Sequence, residues 1–526
     1  GLTVKYGSTY RPVVEPVREI EEIWALEDAR EESGEPLVTR LFCNGIPMAY
    51  DAENNVFYGS LGLENGAQWP EIKLTASEET AKGLSLCFAD DYGFDDCDAA
   101  IREGYSYQIF AYTDTAYSYA EVVFTGLPLV NVTADQTIER EDVPAQIEIA
   151  LAAEGLQTNG RIHKRGGASI LNDKVGYKLE FTRTTDGKKK IYREIPGMGT
   201  DSQVILLPMN ALDTTMMRDR LSWALYARLT RRDEPFSARK TQYCELFLNG
   251  EYRGVYLMLE PFSVRQEVAK AGEERLTTDS VYRTAVISLS HGRPCMEDPY
   301  SAATGFELYY PMDGEPDFSP LADYFALLGE TDDAAFMRRA AQIIDLDSAL
   351  RYDVVLQLFG LTDNVINNMY TWAQNSRGHT RYRFDFWDLD VSWGLKRDEI
   401  GEMHENWVFF PLVDRLLRAD EEGGVRKRYG EIYREVREKA FDTETVEALV
   451  GQYAHELNDS GAMARNAERW ETENYAADGY ELVAFAAERI ALLDEPVRAM
   501  SAGEEIDLRF LEKTNYDDKG TPLTEE

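Results

Sequence analysis

From Pro16 to Ser33 the apolar residues Val17, Ile20, Ile23, Trp24 and Leu26 recur at roughly helical spacing among charges, until Gly34 and Pro36 stop the pattern. This predicts a charged amphipathic lead-in helix. Beyond it the period shortens. Runs such as Leu37 to Phe42, Ile72 to Leu74 and Tyr105 to Tyr112 are separated by Gly, Asn and Asp turns, so a small β-rich domain is expected over 37–125. The phrase Leu41-Phe42-Cys43-Asn44-Gly45 returns as Leu246-Phe247-Leu248-Asn249-Gly250, but the flanking residues do not match. Each copy reads as a strand followed by an Asn-Gly hairpin turn rather than as an internal repeat.

A further unit is expected from Gly126-Leu127-Pro128 onward. The strand candidates Leu129 to Thr133 and Ala145 to Ala150 lead into the basic segment Arg161 to Arg165, and strands dominate as far as Leu259. After about Pro320 the spacing turns helical, through Ile343 to Leu361 and Val425 to Ala440. The class is α+β, divided as a helical lead-in (1–36), the small β-rich domain (37–125), a large domain (126–500) and an acidic tail (501–526).

At 526 residues the chain exceeds one ordinary core, which agrees with that division. No stretch reaches the ~18 uncharged apolar residues of a membrane span. Acidic residues number 94 against 55 basic ones, a net charge of -39. Such a field repels nucleic acid and anionic membranes and favours basic partners, although excess carboxylate also serves plain solvation. The five cysteines include no CxxC pair, which excludes a zinc ribbon or dithiol site. Cys87 and Cys97 are able to pair in an oxidising compartment, but buried thiols are the expected state. The chain begins at Gly1 with no visible export signal, which does not assign it to the cytoplasm.

The stretch from Asp345 to Gly394 carries most of the chemistry. Helical spacing through Val354, Leu358 and Leu361 brings Asp363 to a helix end, and Asn368 follows after four intervening residues. Kinases use that spacing to aim a carboxylate at the substrate hydroxyl and an amide at Mg²⁺. Farther on, an aromatic strand from Tyr382 to Trp387 delivers Asp388 and Asp390 into a turn ending at Gly394. Carboxylates at i and i+2 of an extended segment face opposite ways, so one suits metal and the other the loop. Asp388 is the expected principal ligand, with Asp390 left open. Phosphates call for cations on a front strand, and Lys174, Lys178 and Arg165 are the candidates. Alternation places Tyr177 and Leu179 on one face and Lys178 on the other. Arg218, in an otherwise apolar helix, is expected to organise the site or bridge to a carboxylate. Gly197-Met198-Gly199 lacks the third glycine of a dinucleotide fingerprint, and neither HExxH nor GxSxG occurs.

In this context the stretch resembles the second half of the spore coat protein H (CotH) kinase family, with its acidic-Asn helix exit, WDxD strand and glycine. The first half is similar too, through LPLVNVTAD (Leu127 to Asp135), KRGGAS (Lys164 to Ser169), GYKLEF (Gly176 to Phe181), LDTTMMRDRLSWAL (Leu212 to Leu225) and CELFLNGEYRGVYLMLE (Cys244 to Glu260). Two positions depart from the family pattern. Gly167 replaces the Asn after Arg-Gly, and Trp393 replaces the Phe before the last glycine. The resemblance implies a divergent two-lobed protein-kinase-like domain, with a β-rich N-lobe and a helical C-lobe, behind the small β-rich domain. It implies ATP with Mg²⁺ or Mn²⁺ and transfer of phosphate to Ser or Thr hydroxyls of a protein. Asp363 would act on the hydroxyl, Asn368 and Asp388 or Asp390 on metal, and Arg165, Lys174 and Lys178 on phosphates. A basic, Ser-rich substrate and a spore-coat, exported or cell-surface location fit the charge and the family. The alternative is a weak or inactive kinase-like protein that binds surface or coat partners, and a third reading is transfer of another group from ATP.

Overall fold

A computed structural model describes residues 15–62, 74–76, 83–90, 101–166, 168–209, 213–263, 279–285, 306–311, 317–376, 378–395, 407–408, 410–504, 515–516 and 522–523. The chain divides into two compact units, neither of them continuous. One comprises Gly1–Thr214, Lys240–Pro261 and Gln452–Asp478; the other comprises Thr215–Arg239, Phe262–Gly451 and Gly479–Glu526.

In the first unit the lead-in helix is shorter than its pattern predicts. Only Ile20–Asp28 is helical, while Glu15–Glu19 forms an edge strand parallel to Ser85–Asp90. Pro16 lacks an N–H and suits an edge, and Ile23 packs with Cys87 and Phe110. The sheet continues through Ser106–Tyr112, Ala116–Thr125, Val56–Ser60 and Ala49–Asp51. A three-stranded sheet of Leu41–Cys43, Ile46–Pro47 and Leu74–Ala76 accompanies it. Leu41, Phe57, Ile109, Val122 and Phe124 share one buried core across the two sheets. Both Asn-Gly phrases are tight turns with positive φ, 51° and 82° at Asn44-Gly45 and 53° and 77° at Asn249-Gly250. Cys43, Cys87 and Cys244 are buried thiols, and Cys97 lies outside the described residues.

The same unit contains a closed barrel, which the strand pattern did not specify. Its strands are β1 (Leu129–Thr133), β2 (Val143–Leu151), β3 (Glu154–Arg165), β4 (Gly176–Thr182), β5 (Gln203–Leu207), β6 (Thr241–Leu248) and β7 (Glu251–Leu259), in the order β1-β2-β3-β4-β5-β7-β6. All neighbours are antiparallel except the closing pair β1 and β6. Closure removes sheet edges, and Val132, Ile147, Ile162, Tyr177, Leu179 and Leu206 join the barrel's buried core. On β4 the expected alternation holds, with Tyr177 and Leu179 buried and Lys178 half-buried. Ala49, Val56, Tyr58, Val123, Leu129, Phe247 and Tyr252 form a core common to the front strands and the barrel. Helix Ala462–Trp470 docks on the barrel, where Arg465 makes a two-oxygen contact with the fully buried Glu245 of β6 at 2.8 and 2.9 Å.

The second unit pairs helices with a four-stranded antiparallel sheet: β8 (Ser280–Ala285), β9 (Phe306–Tyr310), β10 (Asn367–Ser376) and β11 (His379–Phe386), ordered β9-β8-β10-β11. Its helices include α1 (Arg218–Ala227), α2 (Leu346–Phe359), α3 (Pro411–Arg418), α4 (Gly424–Lys439) and α5 (Tyr480–Ser501), so the helical spacing around Val354 and after Val425 produced helices. The Asp345 side chain caps α2 by accepting from Ser348 N at 3.1 Å. Gly360 ends it with φ 65°, where a Cβ would meet the Phe485 ring at 2.7 Å. The class is α+β, as expected.

Candidate functional site

Asp363 does not close the long helix, as its spacing predicts. After Gly360 turns the chain, Leu361 N returns to Leu356 O at 3.1 Å, and Asp363 opens a separate helical turn, Asp363–Ile366. That turn shortens the path to Asn368, whose Nδ2 donates to Asp363 Oδ2 at 2.8 Å. Both side chains are buried. Trp387 N donates to Asn368 O at 3.0 Å, which brings the start of the Trp387-Asp388-Leu389-Asp390 turn beside the loop. Asp363, Asn368 and the acidic turn therefore form one cluster within the second unit.

The opposite-face expectation for Asp388 and Asp390 does not apply. Strand β11 ends at Phe386, and Asp388 adopts a left-handed backbone with φ 56°. Face alternation requires extended backbone. Both carboxylates are half-buried. Asn368 and Trp393 are left-handed too, at φ 55° and 53°. Asn and Asp tolerate this region, whereas a bulky residue needs compensation from its surroundings. Trp393 finds it between the Phe359 and Phe441 rings, each 5.4 Å away, with its N donating to Phe359 O at 2.8 Å. Its Nε1 donates to Ser222 Oγ at 2.9 Å, a bond that phenylalanine lacks.

Helix α1 supports the turn through polar residues that no local motif marks. Asp219 Oδ1 accepts from Leu389 N at 2.9 Å. Arg218 donates from Nε to Ser392 O at 3.0 Å and pairs with Glu481, so it does bridge to a carboxylate. Beneath the turn, Arg239 and Asp385 form a buried ion pair at 2.6 Å. Polar side chains in an otherwise apolar helix were the signal available for Asp219 and Ser222.

Arg165, Lys174 and Lys178 belong to the first unit. Arg165 ends β3, opposite Gly176, and Lys178 sits opposite His163. Burial, aided by nearby Lys190, holds Lys178 below the usual lysine range. Lys174 lies in different surroundings: Nζ donates to Val255 O at 2.6 Å and to Asn466 Oδ1 at 2.8 Å, and sits 4.9 Å from the centre of the Tyr256 ring. Burial lowers its pKa to about 7. A neutral amine has two N–H groups, which these two acceptors satisfy. Gly167 lies outside the described residues.

A family profile described as CotH kinase protein matches residues 162–493. The chain belongs to the CotH kinase family. The match covers more than half of the chain and every candidate residue above, and it leaves the front sheets outside. No curated protein matches the chain. A kinase family implies ATP as the phosphoryl donor. Among the described residues, no three His, Cys, Asp or Glu side chains group as metal ligands. No helix among them is long and apolar enough to cross a membrane.

Proposed function

We propose that this protein transfers phosphate from ATP, with a divalent metal, to Ser or Thr hydroxyls of a protein substrate. The carrying observation is the bonded pair Asp363–Asn368, joined through the Asn368 carbonyl to the turn bearing Asp388. Asp363 orients the hydroxyl and takes up its proton, and its contact with Asn368 holds the carboxylate in place. Asn368 and Asp388, with Asp390 as the alternative, offer hard oxygen donors. A set of one amide and one or two carboxylates fits Mg²⁺, which keeps waters and phosphate oxygens as its remaining ligands and does not need a closed protein cage. When bound, the ion neutralises phosphate charge. Arg165 and Lys178 keep the phosphate-contacting role that the resemblance assigns; Lys174, the third candidate, already serves Val255 and Asn466. The two-lobed reading of 126–500, the basic, Ser-rich substrate and the coat or surface location extend this proposal.

The test is labelled-phosphate transfer to a basic, Ser-rich protein and to the enzyme itself, alongside calorimetry of ATP with and without Mg²⁺. We expect saturable, metal-dependent ATP binding and transfer. Absence of binding at millimolar ATP, with or without metal, would end the kinase reading.

A further inference from the structure

Two left-handed residues, Asn368 and Asp388, define the geometry of the cluster, and both belong to the proposed metal set. Such backbone persists only where the surroundings over-determine it. The neighbour that meets both is Asn364, a fully buried side chain in the turn Asp363–Ile366. Its Nδ2 donates to Trp387 O at 2.7 Å and to Asn368 O at 3.3 Å. The first carbonyl belongs to the peptide entering Asp388, and the second to Asn368 itself. One amide thus ties the peptide planes beside both left-handed residues. Asn364 is itself anchored, because Tyr352 Oη donates to its carbonyl at 2.7 Å. The Tyr352 ring stacks on Phe386, the last residue of β11, with centroids 4.1 Å apart and planes 10° from parallel.

Among the described residues, Asn364 Oδ1 has no hydrogen-bond partner. An unpaired buried acceptor is costly, and an apolar residue of similar size would avoid the cost. Among the described residues only the donor half of this side chain is used, and its two bonds reach the carbonyls of Asn368 and of Trp387, the residue before Asp388.

We infer that Asn364 is a positioning residue, which sets the orientation of Asn368 and Asp388 toward a divalent cation by holding their flanking carbonyls. This rests on the kinase reading. Outer residues of this kind typically change metal affinity or activity by about 10- to 100-fold.

The test uses the full chain, stripped of metal and titrated with Tb³⁺. Emission sensitised by Trp387 reports occupancy at the adjacent Asp388, and Mg²⁺ competition reports specificity. Asn364→Asp reverses the donor, Asn364→Ser keeps a single short one, and Asp388→Ala is the control. Circular dichroism establishes the folded fraction of each variant. We expect Mg²⁺-displaceable Tb³⁺ binding in the wild type, weakened about tenfold in folded Asn364→Asp and less in Asn364→Ser. In transfer assays kcat should fall more than the KM for the protein substrate rises. Unchanged Tb³⁺ affinity in both folded Asn364 variants, with loss in Asp388→Ala, overturns the inference and leaves the kinase reading standing. No displaceable Tb³⁺ in the wild type sinks both.

Discussion

The Asp363–Asp390 cluster and the Lys174 pocket both contain buried polar groups, but their buried bonds serve different ends. In the cluster, bonds made by Asn364 and Asp219, and one of those made by Arg218, go to backbone carbonyls and amides. Asp388 and Asp390 meanwhile stay half-buried, at the edge of that support. At Lys174 the functional group itself is used, by Val255 O and Asn466 Oδ1. Asn466 Oδ1 also accepts from Val255 N at 3.1 Å, so the lysine completes a tie between the barrel and helix Ala462–Trp470. The Asp363 carboxylate is occupied as well, by Asn368 Nδ2 at 2.8 Å, but that bond stays within one loop, whereas the Lys174 bonds join separate elements.

The largest expected effect tests the first half of that contrast. Asp363→Ala and Asp388→Ala should each cost ~10²-fold or more in transfer rate. Only Asp388→Ala should also weaken Mg²⁺-dependent ATP binding, with Asp390→Ala deciding between the two carboxylates of the turn. If wild type transfers phosphate and both alanine variants keep full activity, the site lies elsewhere.

Comparison of the two lysines tests the second half. Lys178→Met should weaken ATP binding by about tenfold, on the scale of one charge-assisted hydrogen bond, without shifting the melting temperature. Lys174→Met should leave ATP affinity within about twofold and lower the melting temperature at about pH 10, where the lysine's contribution is present. The opposite pattern in calorimetry and thermal melts would reverse the roles assigned here.

A smaller effect is the pH dependence of stability. Burial holds folded Lys174 near 7, below the ~10.4 of an unfolded lysine. Its contribution is present above the unfolded value and is lost as pH falls from about 10 through 7. Denaturant titrations should show that slope in the wild type and not in Lys174→Met.

The second unit holds a pair with the reverse sign. Asp353 on α2 and Asp414 on α3 are fully buried, and burial raises both carboxyls, with each other's charge adding to the effect at Asp414. Tyr429 and Gln357 donate to Asp353, Trp407 donates to one Asp414 oxygen, and among the described residues the other Asp414 oxygen has no donor. A raised folded pKa gives stability that is complete below the unfolded value, about 3.9, and is lost as pH rises toward the folded one. Asp414→Asn should therefore raise the melting temperature by about 2 °C near pH 7.5 and change it little near pH 4. An equal shift at both pH values would show that the pair does not share its charge in this way.

Much of the fold class was legible because the signals are local. Strand alternation around Tyr177 to Leu179, helical spacing around Val354 and Asn-Gly turns at 44–45 and 249–250 depend on residues a few positions apart. The Asp-x4-Asn spacing belongs with them, since one turn of backbone carries Asp363 to Asn368 whatever lies beyond. Only the tertiary structure decided the rest. Pairing of β1 with β6 closes the barrel across more than a hundred residues, and nothing in either strand announces its partner. Lys174 meets Asn466 from 292 positions away, and Asp219 meets Leu389 from 170. Spacing along the chain determines which groups can share a turn. Desolvation and the pairing of every buried donor and acceptor, which are properties of the packed molecule, determine whether a charged group works as a ligand or as a brace.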